Sequence, residues 1–361
     1  FETQCKYNLA ETCVASLTVE ELINLSGKGN SILEELLPMK LTYGEIEGSM
    51  RLRESISTLY QNQTIENIVV THGAIGANAL VHETMVSEGD HVISICPTYQ
   101  QHYSIPESYG AEVEILWLKP ENNFLPDLIE LKSMLRSNTK LIVLNNPNNP
   151  TGALMMDEYL NNFIDVIAPS GAYVLCDEVY RGTNQEGTGF APAMADIYDK
   201  GISVSSMSKV FSLAGIRLGW IAGPREVLES VMIRRDYNTI SVGMIDDYFA
   251  SLALENKEKI IERSQNITRG NLKILDEWVS NEPSITYIKP KSGTTALLRY
   301  DLEMTSRDLC IQLLQNTGVM FTPGSVMEME GWLRIGYANN PQVLSSGLKL
   351  VGEFLSELRK R

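Results

Sequence analysis

Between Ile68 and Gly223 the chain repeats one pattern: a short apolar run, a polar or helical stretch, then another apolar run. The runs are Ile68–Thr71, His91–Ile95, Glu112–Leu116, Lys140–Leu144, Tyr173–Cys176, Ile202–Ser206 and Arg217–Ala222. They are four to six residues long and rich in Val and Ile. Runs with little polar alternation are strands covered on both faces. The helical stretches are Ile75–Val86, Leu128–Leu135 and Asp157–Ile167. Strands that alternate with helices at this spacing predict an α/β fold with a mainly parallel sheet flanked by helices.

The pattern changes after Pro224. Long helical periodicity fills roughly 225–280, strand candidates follow at Thr294–Tyr300 and Trp332–Ala338, and a helix is predicted near 341–360. This reads as a second, smaller α/β domain. A chain of 361 residues is long enough for two buried cores. The expected division is 44–250 for the large domain, with 1–43 and 251–361 forming the small one. The first forty or so residues are expected to pack against the smaller domain.

The formal net charge of −15 argues against nonspecific binding to nucleic acid or to an anionic membrane. No segment approaches the roughly 18 apolar residues that span a bilayer. The five cysteines are scattered without a C-x-x-C pair, which fits a reducing cytoplasm and argues against a disulfide framework or a thiolate zinc site. His72, His82, His91 and His102 lack metal-ligand spacing and read as surface or core residues, so no metal is expected.

Five segments at strand ends carry chemistry. Ser206-Met207-Ser208-Lys209, with Gly215-Ile216-Arg217-Leu218-Gly219 after it, joins a lysine to two hydroxyls and a guanidinium. An amine suits Schiff-base formation with an aldehyde, and hydroxyls with a guanidinium suit a phosphate. Pyridoxal 5′-phosphate (PLP) has both groups. Asp177-Glu178-Val179-Tyr180 places an acid at the end of a buried strand, where open α/β sheets bind ligands. Such a carboxylate keeps a pyridine nitrogen protonated, and Tyr180 is within reach of a phenolic oxygen. Asn145–Gly152, with two prolines, is a rigid turn that presents Asn149. Gly73-Ala74-Ile75 offers backbone amides at a helix start. Tyr99 follows Pro97 and Thr98 at another strand end, placed to stack on a ring. Taken singly, each segment also reads as surface charge, a helix cap, a loop or packing.

Together the segments resemble the fold-type I PLP enzymes of the class I/II aminotransferase superfamily. N-P-T-G, D-E-V-Y, S-x-S-K and G-x-R-x-G stand in the family's order and at its approximate spacing, and the likeness runs from Tyr43 to the C-terminus. The resemblance implies a Schiff base on Lys209, which then serves as acid and base. It implies that Asp177 pairs with the pyridinium and that Tyr180 and Asn149 bond the phenolic oxygen, with Asn149 also on the substrate side. Tyr99 would stack on the ring. Arg217, Ser206, Ser208 and the amides of Gly73, Ala74 and Ile75 would hold the phosphate. Tyr43 would reach the partner subunit's phosphate, which implies a homodimer. Arg334, in Leu333-Arg334-Ile335-Gly336, would clamp the substrate α-carboxylate. The implied reaction moves an amino group between an amino acid and a 2-oxo acid.

The same machinery serves carbon–sulfur lyases and amino-acid cyclases. Two segments depart from the family's usual pattern on the substrate side: Asn8-Leu9-Ala10-Glu11-Thr12 and Ser292-Gly293-Thr294-Thr295. They point to an unusual substrate, such as a guanidino amino acid facing Glu11, although a solvated Glu11 is the plainer reading. A PLP-binding regulator without turnover is disfavoured, because such proteins carry a DNA-binding domain ahead of this fold and the short, non-basic start leaves no room for one.

Overall fold

The computed structural model describes residues 5–360, so residues 1–4 and 361 of the expected small domain lie outside it. Its main sheet has seven strands, in the order Ile68–Thr71, Gly219–Ala222, Gly201–Ser206, Tyr173–Asp177, Thr139–Asn145, His91–Cys96 and Glu112–Trp117. All neighbours pair in parallel except Gly219–Ala222, which is antiparallel to both of its neighbours. The sheet is therefore mixed and mainly parallel. Successive residues face opposite sides: Ile142 and Leu144 join one core with Phe163 and Val174, while Leu141 and Val143 join another with Val204 and Ile221. Burial on both faces explains why the inner strands show little polar alternation, while Glu112–Trp117, at the sheet edge, alternates and leaves Glu112 exposed.

The expected strand at Arg217 begins two residues later, at Gly219. Arg217 itself has a left-handed backbone (φ 49°) and ends a short 3-10 turn. The helix expected from Ile75 starts at Gly73, and the one at Asp157–Ile167 lies where the periodicity puts it, with Leu160, Phe163 and Ile167 facing the core. Helical periodicity over 225–280 resolves into three helices, Arg225–Arg235, Met244–Leu254 and Lys257–Asn281.

A second sheet of four antiparallel strands runs Thr322–Pro323, Trp332–Gly336, Thr295–Tyr300 and Ile285–Tyr287. The helices Ser306–Thr317 and Pro341–Leu358 contribute Leu313 and Leu348 to its core. The N-terminal segment does not pack as one piece on this smaller unit. Tyr7–Asn8 pairs with Val319–Met320, and Leu9 lies in the small core. Leu22 and Ile32 instead lie with Leu52, Phe211 and Trp220 beside the large sheet. The reason is patterning: Val19–Ser26 is an amphipathic helix with a Thr18–Glu21 capping box, and its apolar stripe needs a second core.

This packing yields a contrast in stability. Leu22→Ala, at a position 1% exposed, is expected to cost about 2–4 kcal/mol. Ile129→Ala, at a position 85% exposed, is expected to cost less than about 0.5 kcal/mol. The urea midpoint followed by circular dichroism measures both, and equal shifts would contradict the placement of Leu22.

Candidate active site

Because six strands run one way, their carboxyl ends share one edge of the sheet. Gly73, Tyr99, Asn149, Tyr180 and Lys209 each follow a different one of these strands by a few residues. The strand Gly219–Ala222 runs the other way, so its entry point, preceded by Arg217, lies at the same edge. A cleft of about 300 Å³ opens there. Its walls include Lys209, Asp177, Tyr180, Asn149, Ser206 and Ser208, with Tyr99, Ala74, Ile75, Arg217 and Arg334. Two expected residues stand apart. Gly73 lies behind Arg217 instead of on the wall, and Tyr43 is 76% exposed and does not line this chain's cleft.

The corner of the cleft at Arg217 is built by close approach. A Cβ on Gly219 would stand 2.5 Å from the Gly73 carbonyl carbon and 2.6 Å from the Ala74 nitrogen, so only glycine lets the strand touch the helix start. The same packing sets the Arg217 guanidinium 3.1 Å from where a Gly73 Cβ would be. Arg217 Nη1 donates to the Ala214 carbonyl at 2.9 Å. The helix Gly73–Met85 has no side-chain cap at its N-terminus. Uncapped amides beside a guanidinium and the Ser206 and Ser208 hydroxyls form a cradle whose donor set fits a phosphate.

Deeper in the cleft, Asp177 is fixed from several sides. Asn78 Nδ2 donates to its Oδ2 at 2.9 Å, and the Val179 amide donates to its Oδ1 at 3.2 Å. His102 Nε2 stands 3.5 Å from Oδ2 without making a hydrogen bond. Asn145 ties the neighbouring strands by donating to the Asp177 carbonyl at 2.7 Å and accepting from the Asn149 amide at 2.5 Å. Asn149 Oδ1 in turn accepts from Arg334 Nη1 at 3.4 Å. Arg334 Nη2 donates to Thr322 Oγ1 at 3.0 Å and to the Ala10 carbonyl at 3.3 Å, while its Nε is buried without a partner. Burial holds the Arg334 guanidinium below its ordinary pKa. A buried donor left open in this way is ready for an anion.

Lys209 Nζ donates to Thr12 Oγ1 at 2.5 Å and reaches Cys13 Sγ at 3.5 Å. It lies 5.9 Å from the centre of the Tyr180 ring. Burial favours the neutral amine, but Tyr180, Cys13 and Glu11 outweigh it and hold the pKa above its ordinary value. Thr12, Cys13, Asn78, Asn145 and Gln101 also line the cleft and were not assigned from the sequence. Of these, Thr12 carried a signal as the last residue of an unusual N-terminal segment, and Asn145 as the first residue of the turn that presents Asn149.

This fold and this cleft are those of a fold-type I PLP enzyme. The family model "Aminotransferase class I and II" matches residues 32–346, and the chain belongs to that family. The chain is 42% identical to a PLP-dependent aminotransferase from Streptococcus suis, with a TM-score of 0.95 over 99% of this chain and 95% of that one. It is 29% identical over 355 residues to capreomycidine synthase of Streptomyces vinaceus, covering 98% of this chain and 90% of that protein. It is 28% identical over 318 residues to an aspartate aminotransferase of Pyrococcus horikoshii, covering 85% of this chain and 81% of that protein. The family's cofactor is PLP, and its members use amino acids and 2-oxo acids and act as dimers. No helix among the described residues is long and apolar enough to cross a membrane.

Glu178, beside Asp177, is fully buried. Its Oε1 accepts from the Met194 amide at 2.7 Å and from Ser203 Oγ at 2.8 Å, while Oε2 has no partner. Burial pushes its pKa up from 4.5 to about 7, against the pull of Arg181. The folded state therefore favours the protonated acid. That stabilisation is complete below about 4.5 and is lost as pH rises through about 7. Glu178→Gln is expected to flatten the fall in urea midpoint between about pH 5 and pH 8. Parallel pH profiles for the two proteins would show that the acid is not held protonated.

Proposed function

We propose that the protein is an aminotransferase that moves an amino group between an amino acid and a 2-oxo acid through a Schiff base on Lys209. The observation that carries this reading is the meeting of Lys209, Asp177, Tyr180, Asn149 and Arg334 in one cleft beside the cradle at Arg217. When bound, PLP supplies an aldehyde carbon for the Schiff base and a ring that accepts electrons. The amides of Ala74 and Ile75, with Ser206, Ser208 and Arg217, would hold the phosphate end, with Gly73 behind Arg217. Asp177, oriented by Asn78 and by the Val179 amide, keeps the ring nitrogen charged. Tyr180 and Asn149 would donate to the phenolic oxygen, and Tyr99 would cover the ring. Arg334 binds the substrate α-carboxylate and so points the α-hydrogen at Lys209. Lys209 Nζ takes that proton and returns it in the second half of the transfer.

A homodimer completes the site in this reading. Leu41, Tyr43 and Ile46 on one segment, and Ile240 and Ile245 on another, are exposed apolar side chains. The two segments meet at Gly44, where a Cβ would stand 3.6 Å from Met244 Cγ. A second copy of the chain covers this face, and Tyr43 then reaches the neighbour's phosphate. The expected compartment is the cytoplasm. The division into 44–250 and two flanking segments belongs to the same proposal, with the crossing of the N-terminal segment at 10–17 as its amendment.

A second reading, cyclisation of an amino acid, is favoured by the likeness to capreomycidine synthase over 98% of the chain. Glu11 stands near Lys209: burial raises its pKa, but bonds from Cys13 and Thr12 and the Lys209 charge outweigh this and leave the carboxylate ionised. An anion there suits a substrate with a cationic end, such as a guanidino amino acid.

The test is the visible absorbance of the PLP-loaded protein with a panel of amino acids, each with and without a 2-oxo acid. A band lost in Lys209→Ala, and converted to the amine form by an amino acid and back by an oxo acid, is the expected result. Arg334→Ala is expected to keep the band and lower kcat/KM by about a hundredfold, the size of a lost charged hydrogen bond. Turnover without any oxo acid would replace amino transfer by cyclisation or elimination.

A further inference from the structure

The two segments that depart from the family's usual pattern meet above Lys209. Thr294 Oγ1 donates to the Thr12 carbonyl at 2.6 Å. Gly336 lies directly under the N-terminal segment: a Cβ there would stand 1.7 Å from the Glu11 carbonyl oxygen. The Gly336 amide donates to the Leu9 carbonyl at 2.8 Å, and the Ala15 amide to the Ala338 carbonyl at 2.9 Å. Glu11 closes its own turn, with Oε1 accepting from the Thr12 amide at 2.8 Å and the Cys13 amide at 3.0 Å. Residues 9–15 are thus pinned at both ends and in the middle. What this fixed strap offers to the cleft is the Thr12 hydroxyl, 2.5 Å from Lys209 Nζ, with the Cys13 thiol behind it.

We infer that Thr12 is a positioning residue for Lys209, accepting a hydrogen bond from the amine whenever that amine is not bonded to the cofactor. The inference rests on the proposed Schiff base and adds a residue to it. A lysine displaced by a substrate amine is a long side chain with several rotamers in a partly wet cleft. A neutral amine has two N–H bonds and one lone pair. Committing one N–H to Thr12 Oγ1 restricts where the lone pair points, and proton transfer is sensitive to small misplacements of the base. The contact needs an oxygen acceptor at this position. Valine, which has the same shape without the oxygen, cannot supply one, whereas serine can.

The consequence is measurable without knowing the substrate. Methylamine displaces a Schiff-base lysine: its nitrogen forms the double bond to the aldehyde carbon, the bond to Lys209 breaks, and two protons pass from the incoming to the leaving nitrogen. Borohydride then reduces whichever adduct is present. Peptide mass spectrometry reads the fraction of cofactor fixed to Lys209 across a methylamine series on the PLP-loaded protein. Loss of one hydrogen bond to the freed amine is expected to raise the half-displacing concentration about tenfold in Thr12→Val. In Thr12→Ser it is expected to stay within about twofold of the parent. Equal half-points for the parent and Thr12→Val, or equal losses in the valine and serine variants, would overturn the inference. Failure to fix any cofactor on Lys209 of the parent would instead overturn the Schiff-base reading on which it rests.

Discussion

The site depends on one reversal of strand direction. Gly201–Ser206 runs with its parallel neighbours, and Gly219–Ala222 runs against it, pairing Ser206 with Gly219. The Met207 amide donates to the Leu218 carbonyl at 3.0 Å, and the Leu213 amide to the Met207 carbonyl at 2.9 Å. Residues 207–218 are therefore a closed excursion at the sheet edge. Lys209 and Arg217 both sit on it, so the residue suited to an aldehyde and the residue suited to a phosphate are fixed relative to each other by backbone bonds. A wholly parallel sheet would send the chain back across a helix between them and lose this coupling. The contact of Gly219 with Gly73 and Ala74 then binds the excursion to the helix start, which completes the cradle.

A second constraint comes from the N-terminal segment. It is shared between two cores, with Leu9 in one and Leu22 in the other. The stretch between them spans the gap where the small sheet faces the large one. Arg334 bonds to the Ala10 carbonyl, and Thr294 bonds to the Thr12 carbonyl. The arginine on the small sheet and the lysine on the large one are thus linked through the same few residues. The helix Lys257–Asn281 makes a second link, with Ile260 in one core and Leu272 and Leu275 in the other.

How much of this was legible follows from which forces act locally. The strands were readable because burial on both faces forces runs of Val and Ile, as in Leu141–Leu144. Lys209, Asp177, Tyr180 and Arg217 were readable because each adjoins such a run. The helix Gln101–Ser108 was not, since Pro106 lies inside it and its apolar positions are few. His102, on that helix, and Asn78, one turn into another, meet Asp177 only through tertiary packing. Helical patterns were legible over 225–280, but their division into three helices, with breaks at 236–243 and 255–256, was not. Tyr43 matched a motif, but in the proposed dimer its partner surface belongs to another copy of the chain, which one sequence alone does not place.

The electrostatics of the cleft explain why its chemistry is clearer than its specificity. Arg334 is already desolvated, and its Nε lacks a partner before anything binds. A carboxylate arriving there gains a charge-assisted pair without a further desolvation cost on the arginine. In the role proposed for Arg334, that feature selects for the α-carboxylate common to every amino acid. Discrimination must come from groups beyond it, such as Thr12, Cys13 and Gln101, which line the cleft, and Glu11 beside them on the strap. Glu11 spends one carboxylate oxygen on its own turn, so it can offer at most the other to a substrate. A cationic side chain that reached it would compete with Lys209 for the same field. The strap therefore ties two properties together. In the roles proposed for Glu11 and Thr12, a residue change on the strap that retunes the substrate's far end also moves the lysine.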